Sequence, residues 1–247
     1  ADRPWITPPL NGFLFARLAW NPDQDVEALV RDYASGYYGG PADVLTTYQQ
    51  ELELAFHLML DLTPEETSHN LAARNVLDPP PMDALDFMTA SLEVRRAKLA
   101  ALLEARKHLA KAGAHLELAC RPGTGWKPRG RVTRREILSR EQTSFQLTSL
   151  QFDYLYQRQL AYCLMGEKAP RREIAAALRQ AENALKAIFS WARKELRQER
   201  KWLRQFQLAH SLWRLHLWKV RHDALTWTPL GRLLWRWRAL AARKRAS

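Results

Sequence analysis

Between Pro170 and Pro229 the chain contains neither glycine nor proline. Such a run removes the two residues that most readily break a helix, and its apolar side chains keep helical spacing. Trp191, Trp202 and Trp213 fall 11 residues apart, three helical turns each, with Phe206, Leu217 and Val220 close to the same stripe. A continuous helix from 171 to 222 would reach about 78 Å at 1.5 Å per residue. Runs of more than about 25 residues point to a coiled coil or a bent helix. The first expectation is one very long C-terminal helix or helical hairpin, with 167–247 read as a long basic, Trp-rich helix followed by a terminal amphipathic helix that Thr228 and Pro229 start.

The rest of the chain is equally helical in grammar. Leu, Ala, Arg, Glu and Gln dominate, glycine is scarce, and alternating β-branched runs are almost absent. The fold class read from this is all-α, an irregular multi-helix bundle. Residues 1–12, with Pro4, Pro8 and Pro9, form an extended strap leaving a preceding domain. The chain opens at Ala1 rather than Met, which reads as an excised or truncated product. Residues 13–166 form the bundle, with helices expected over 13–20, 22–38, 41–60, 65–76, 82–112 and 134–165. Val26, Leu29, Val30, Tyr33 and Tyr37 share one face of the second helix. Leu45, Tyr48, Leu52, Phe56 and Met59 do so on the third. Leu85, Met88, Leu92, Leu99, Leu102, Leu103 and Leu109 form the buried stripe of the fifth. Arg95, Arg96, Lys98, Arg106 and Lys107 lie mostly on its wet side. Ile137, Leu138, Phe145, Phe152, Leu155, Tyr156 and Cys163 point inward on the sixth.

Boundaries follow from capping chemistry. Asn21 is expected to cap the second helix, with Pro22 in its first turn and Gln24 reaching back. Gly39 and Gly40 supply a left-handed exit before Pro41. Thr133 and Glu136 make a capping box, and Gly166 ends that helix. Residues 113–132 are the longest stretch without periodicity, although His115–Cys120 allows a helical turn. Arg121, Trp126, Lys127, Arg129 and Arg131 could meet an anionic sugar or phosphate there, but a solvated loop is favoured.

The stretch Phe13–Gly39 carries the most specific signal. Its order, L-x-W-N-P-D-x-D-V-x-x-L-x-x-x-Y-x-x-G-Y-Y-G, resembles the segment that follows the catalytic barrel in bacterial α-glucuronidase-like glycoside hydrolases. It also resembles a related family known only as a domain of unknown function. The match is dense over residues 13–56. The resemblance implies a C-terminal helical domain packed against an upstream sugar-processing barrel, with a homodimer and carbohydrate as further partners. It places Trp5, Arg17, Trp20 and Tyr38 nearest the sugar cleft. Arg17 is the residue to meet a uronate carboxylate, because a guanidinium pairs with it bidentately. For Trp5, packing on a neighbouring helix is favoured over stacking on sugar.

Residue types by themselves assign no catalytic site. A glycosidase needs two carboxylates flanking the scissile bond. Asp23, Asp25, Glu27 and Asp32 lie at a helix start, where the macrodipole favours them. Glu51 and Glu53 cannot share a helical face, and Glu65 and Glu66 belong to a cap. The seven histidines include no H-E-x-x-H arrangement, and His216 and His222 with Asp223 make only a poor zinc set. Cys120 and Cys163 have no metal-ligand spacing and are expected to be reduced structural residues. No cofactor and no metal is expected, and catalysis is assigned to the barrel rather than to this chain.

The net charge of +12 is concentrated at one end. Residues 185–247 carry 16 Lys+Arg against 3 Asp+Glu, whereas 1–184 carry 22 against 23. The same quarter holds seven of the ten tryptophans. Inward-packed tryptophans with outward-snorkelling arginines are the favoured reading, ahead of a protein or domain interface. An anionic membrane surface and nucleic acid rank lower, and Arg232, Trp235, Arg236 and Arg238 are the residues such a surface would use. A free-standing helical adaptor acting through this quarter is the alternative function.

Overall fold

The structure is a computed structural model that describes residues 9–60, 91–121 and 133–195, with positions 197, 204 and 214. All regular structure among the described residues is helical, as expected. The helices are α1 (Pro9–Trp20), α2 (Val26–Tyr37), α3 (Ala42–Leu60), α4 (Leu92–Cys120), α5 (Arg134–Gly166) and α6 (Arg171–Glu195). The chain forms two compact units, one from 1–58 and 104–149, the other from 59–103 and 150–247. The expected helix 65–76, the start of the expected helix at 82 and nearly all of the run after Glu195 lie outside the described residues.

The first unit is built on α1, α2, α3, the second part of α4 and the first part of α5. Its core joins Tyr33, Ala34, Tyr38, Leu45, Tyr48, Ala112, Leu116, Ala119, Ile137 and Leu138, flanked by Leu10, Phe13, Leu52 and Phe145. The α4 stripe alternates large and small residues, Leu102, Ala105, Leu109, Ala112, Leu116 and Ala119, all buried. That three-four spacing fixes which face of α4 turns inward. Leu103 is exposed, because a residue next to Leu102 is rotated 100° off the stripe. Val26 is also exposed, since it opens α2 a full turn ahead of the buried Leu29.

Three helix boundaries differ from expectation. α1 begins at Pro9 rather than 13, so residues 9–12 are helical and not part of the expected extended strap, with Pro9 in the first turn where no N–H is needed. The two others differ for local reasons. The N-cap of α2 is Asp25, whose side chain accepts the Glu27 N–H at 2.9 Å. Asn21 instead accepts from Asp23 N–H at 3.2 Å, a local turn that competes with helix capping. α4 runs through Gly113 to Cys120 rather than stopping at 112. A Cβ at Gly113 would sit 3.0 Å from Phe145 Cζ, so this glycine admits the α5 ring instead of ending the helix. The left-handed exit at Gly39 stands as expected, with φ 67°. The Thr133 box also forms: Thr133 N–H donates to Glu136 Oε2 at 2.8 Å, and Glu136 N–H to Thr133 Oγ1 at 3.3 Å.

In the second unit the start of α4 clasps the end of α5. Arg95 Nη1 donates to the Tyr162 carbonyl at 3.1 Å, and Gln159 Nε2 donates back to the Arg95 carbonyl at 3.2 Å. Arg96 pairs with Glu167 at 2.8 Å. Arg95 is therefore half-buried rather than on the wet side, and burial pulls its guanidinium below its ordinary range. Gly166 lets Arg95 and Leu92 approach, since a Cβ would lie 2.9 Å from Arg95 Nη1. The residue that turns the chain is Lys168, at φ 56°. Ala169 N–H bonds the Leu164 carbonyl at 2.9 Å and Lys168 N–H the Met165 carbonyl at 3.2 Å, the pattern of a Schellman exit. Pro170 then opens α6, which buries Ile174, Ala177, Leu178, Ala181, Leu185, Ile188, Trp191 and Ala192 on one stripe.

Candidate functional site

α1 is twelve residues long and carries one charged side chain, Arg17. Leu10 and Phe13 pack into the core of the first unit. Phe15 and Trp20 lie on the outside, 77% and 91% exposed. A helix apolar on nearly all sides is ordinarily one that is covered on both faces. Between these faces Arg17 lies over the Phe13 ring, 5.4 Å from its centroid, and pairs with Asp32 at 3.3 Å. Both partners are exposed, so the pair contributes little to stability and leaves the guanidinium at the surface.

Behind Phe13 a run of aromatic rings leads inward. Phe13 meets Tyr33 at 5.4 Å, Tyr33 meets Tyr37 at 5.0 Å and Tyr38 at 5.8 Å, and Tyr37 meets Tyr38 at 5.1 Å. These distances suit offset and edge-on ring contacts. The run ends on a buried carboxyl. Tyr38 Oη donates to Glu141 Oε1 at 2.9 Å and accepts from Gln49 Nε2 at 3.1 Å. Tyr48 reaches the same carboxyl. Glu141 is 8% exposed, and burial raises its affinity for a proton although the Tyr38 and Tyr48 hydroxyls act the other way. Burial first, and the charge of Glu141 next, lift the Tyr38 phenol well above its ordinary range.

The four residues taken from the resemblance are thus distributed unequally. Arg17 and Trp20 share the exposed face of α1. Tyr38 is 1% exposed, and its hydroxyl is committed to Glu141 and Gln49. Trp5 lies outside the described residues, as do Arg232, Trp235, Arg236 and Arg238. Glu141 was missed by sequence reasoning, although its position carried a signal: it falls between Ile137, Leu138 and Phe145 on the inward stripe of α5. A second polar pair was also missed, His108 Nδ1 against Glu51 Oε2 at 2.6 Å, half-buried between α3 and α4.

No group of three His, Cys, Asp or Glu that could hold a metal ion occurs among the described residues. Among them, no helix is long and apolar enough to cross a membrane. Cys163 is buried, and Cys120 is half-buried and accepts from Gln142 Nε2 at 3.3 Å. No protein-family model, curated protein or solved structure matches the chain.

Proposed function

We propose that this chain is a non-catalytic helical domain of a carbohydrate-active, glycoside hydrolase-like protein, which braces a catalytic barrel and borders its sugar cleft through α1. The observation that carries the reading is the outer face of α1. Phe15 and Trp20 are left to solvent by a unit that buries three tyrosines elsewhere, Tyr33, Tyr38 and Tyr48. Exposed aromatics on a nearly uncharged helix are the composition of an interface core. The same helix falls within the segment that resembles the post-barrel region of α-glucuronidase-like enzymes. Arg17, beside Trp20 in sequence and held at the surface by Asp32, would border the cleft and meet an anionic sugar by exchanging one carboxylate for another. On this reading the long C-terminal helix or helical hairpin over 167–247 is an elaboration on the bundle, of which α6 is the first part.

The test is a photo-crosslinking amino acid placed at Trp20 in the source cell. A crosslink into a carbohydrate-active domain supports the reading. Crosslinks confined to other partners, or none, overturn it.

The charge concentrated in residues 185–247 favours a second reading, an adaptor bound to an anionic membrane surface or nucleic acid. It predicts affinity that falls steeply with salt. Absence of binding to anionic vesicles and to single-stranded DNA at moderate ionic strength removes it.

A further inference from the structure

We infer that Glu141 keeps its proton in the folded protein at neutral pH and acts as a proton-held lock on the first unit, released when the carboxyl ionises. Glu141 lies in the interior of the unit, and its partners there, the Tyr38 and Tyr48 hydroxyls, are both neutral. No cation pairs with it among the described residues. An ionised carboxylate enclosed in this way forfeits its hydration without a compensating charge, and such groups neutralise instead. The neutral carboxyl fits the same partners, its carbonyl oxygen accepting from Tyr38 while its O–H can donate to Tyr48. Gln49 completes the chain by donating to Tyr38.

The surroundings leave Glu141 as the group that titrates first. From α2 it faces Tyr33, Tyr37 and Tyr38, and from α3 Tyr48. Burial is the leading cause that lifts each of these phenols above its ordinary range. α4 brings Ala112, Leu116 and Ala119 to this core, and its His108 closes on Glu51 of α3. α1 brings Leu10 and Phe13, with Arg17 held on Asp32 at the surface. On α5 itself, Arg140 is directed to Tyr37.

The sign of the linkage follows. A carboxyl that holds its proton more tightly when folded gives its full stabilisation below the ordinary glutamate range of about 4.3. That contribution declines as pH rises, and it is gone once the folded-state carboxyl ionises. Raising the pH therefore loosens α2 and α3 from α5, whatever α1 docks against.

The experiment uses the full chain with carboxyl-labelled glutamate, followed by infrared and carbon NMR across pH, beside Glu141→Gln. The expected result is a protonated-carboxyl signal at neutral pH, absent in Glu141→Gln, together with an unfolding midpoint that falls with rising pH in the wild type and stays flat over that range in the variant. A fully ionised Glu141 at neutral pH overturns the inference. If Glu141→Gln does not fold, assignment of the labelled signal through Tyr38→Phe, which should shift the Glu141 resonance, decides in its place. A wild-type spectrum in which every glutamate titrates in the ordinary range overturns the inference without any variant.

Discussion

Removing the Tyr38 hydroxyl while keeping its ring isolates the polar heart of the first unit. Tyr38→Phe fills nearly the same volume, so no cavity opens. What is lost is one hydrogen bond to Glu141 at 2.9 Å and one from Gln49 at 3.1 Å. A neutral hydrogen bond contributes about 1 kcal/mol net, and leaving a buried group unsatisfied costs about 1–3 kcal/mol. Gln49 is only half-buried and can turn to water, whereas Glu141 cannot. The expected destabilisation is therefore about 2 kcal/mol, read as a lower urea midpoint with unchanged slope in far-ultraviolet circular dichroism. The cycle with Glu141→Met, which removes the acceptor at similar volume, sharpens the test. In that background Tyr38→Phe should cost less, with a coupling of about 1 kcal/mol, because the two groups share one interaction. A Tyr38→Phe variant within about 0.5 kcal/mol of the wild type, the range of inert surface changes, would refute the assignment of this network to stability.

Other expectations follow from the same geometry. Lys168→Gly should stabilise the chain by about 1 kcal/mol, because glycine removes the Cβ penalty of the left-handed exit; thermal melting reads it. Gly113→Leu should destabilise by about 1–3 kcal/mol by driving a side chain into Phe145, measurable by urea titration. Acidification should fray the start of α5, seen as faster amide exchange at Thr133. The cause is the Thr133 amide and hydroxyl, which hold the Glu136 carboxyl below its ordinary range, so its capping contribution is present above the ordinary glutamate range and is lost as pH falls through the folded-state value. Trp20→Ser should leave the urea midpoint within about 0.5 kcal/mol of the wild type, as for an exposed side chain.

Much of the helical plan was legible because it rests on local chemistry. The Thr133 box and the Gly39 exit each depend on residues within a turn or two of one another. The misplaced boundaries arise where a local signal had two uses. Asn21 served a turn rather than the α2 cap, and Gly113 admits Phe145 instead of ending a helix, whereas Gly166 both ends α5 and admits Arg95. What could not be read was pairing across the chain. Tyr38 and Glu141 stand 103 positions apart, Arg95 and Tyr162 stand 67 apart, and no periodicity links either pair. The exposed side of α1 was also hidden, since Phe13 and Phe15 are alike in composition and differ only in which face the core takes.

The proposed role is tested most directly by the size of the natural product, detected in its source with an antibody raised to this 28.7 kDa chain. A catalytic barrel adds about 250 residues or more. The account predicts a polypeptide of about twice the mass of this chain or larger, carrying glycosidase activity. A band at 28.7 kDa would contradict it and turn attention to the basic, tryptophan-rich quarter.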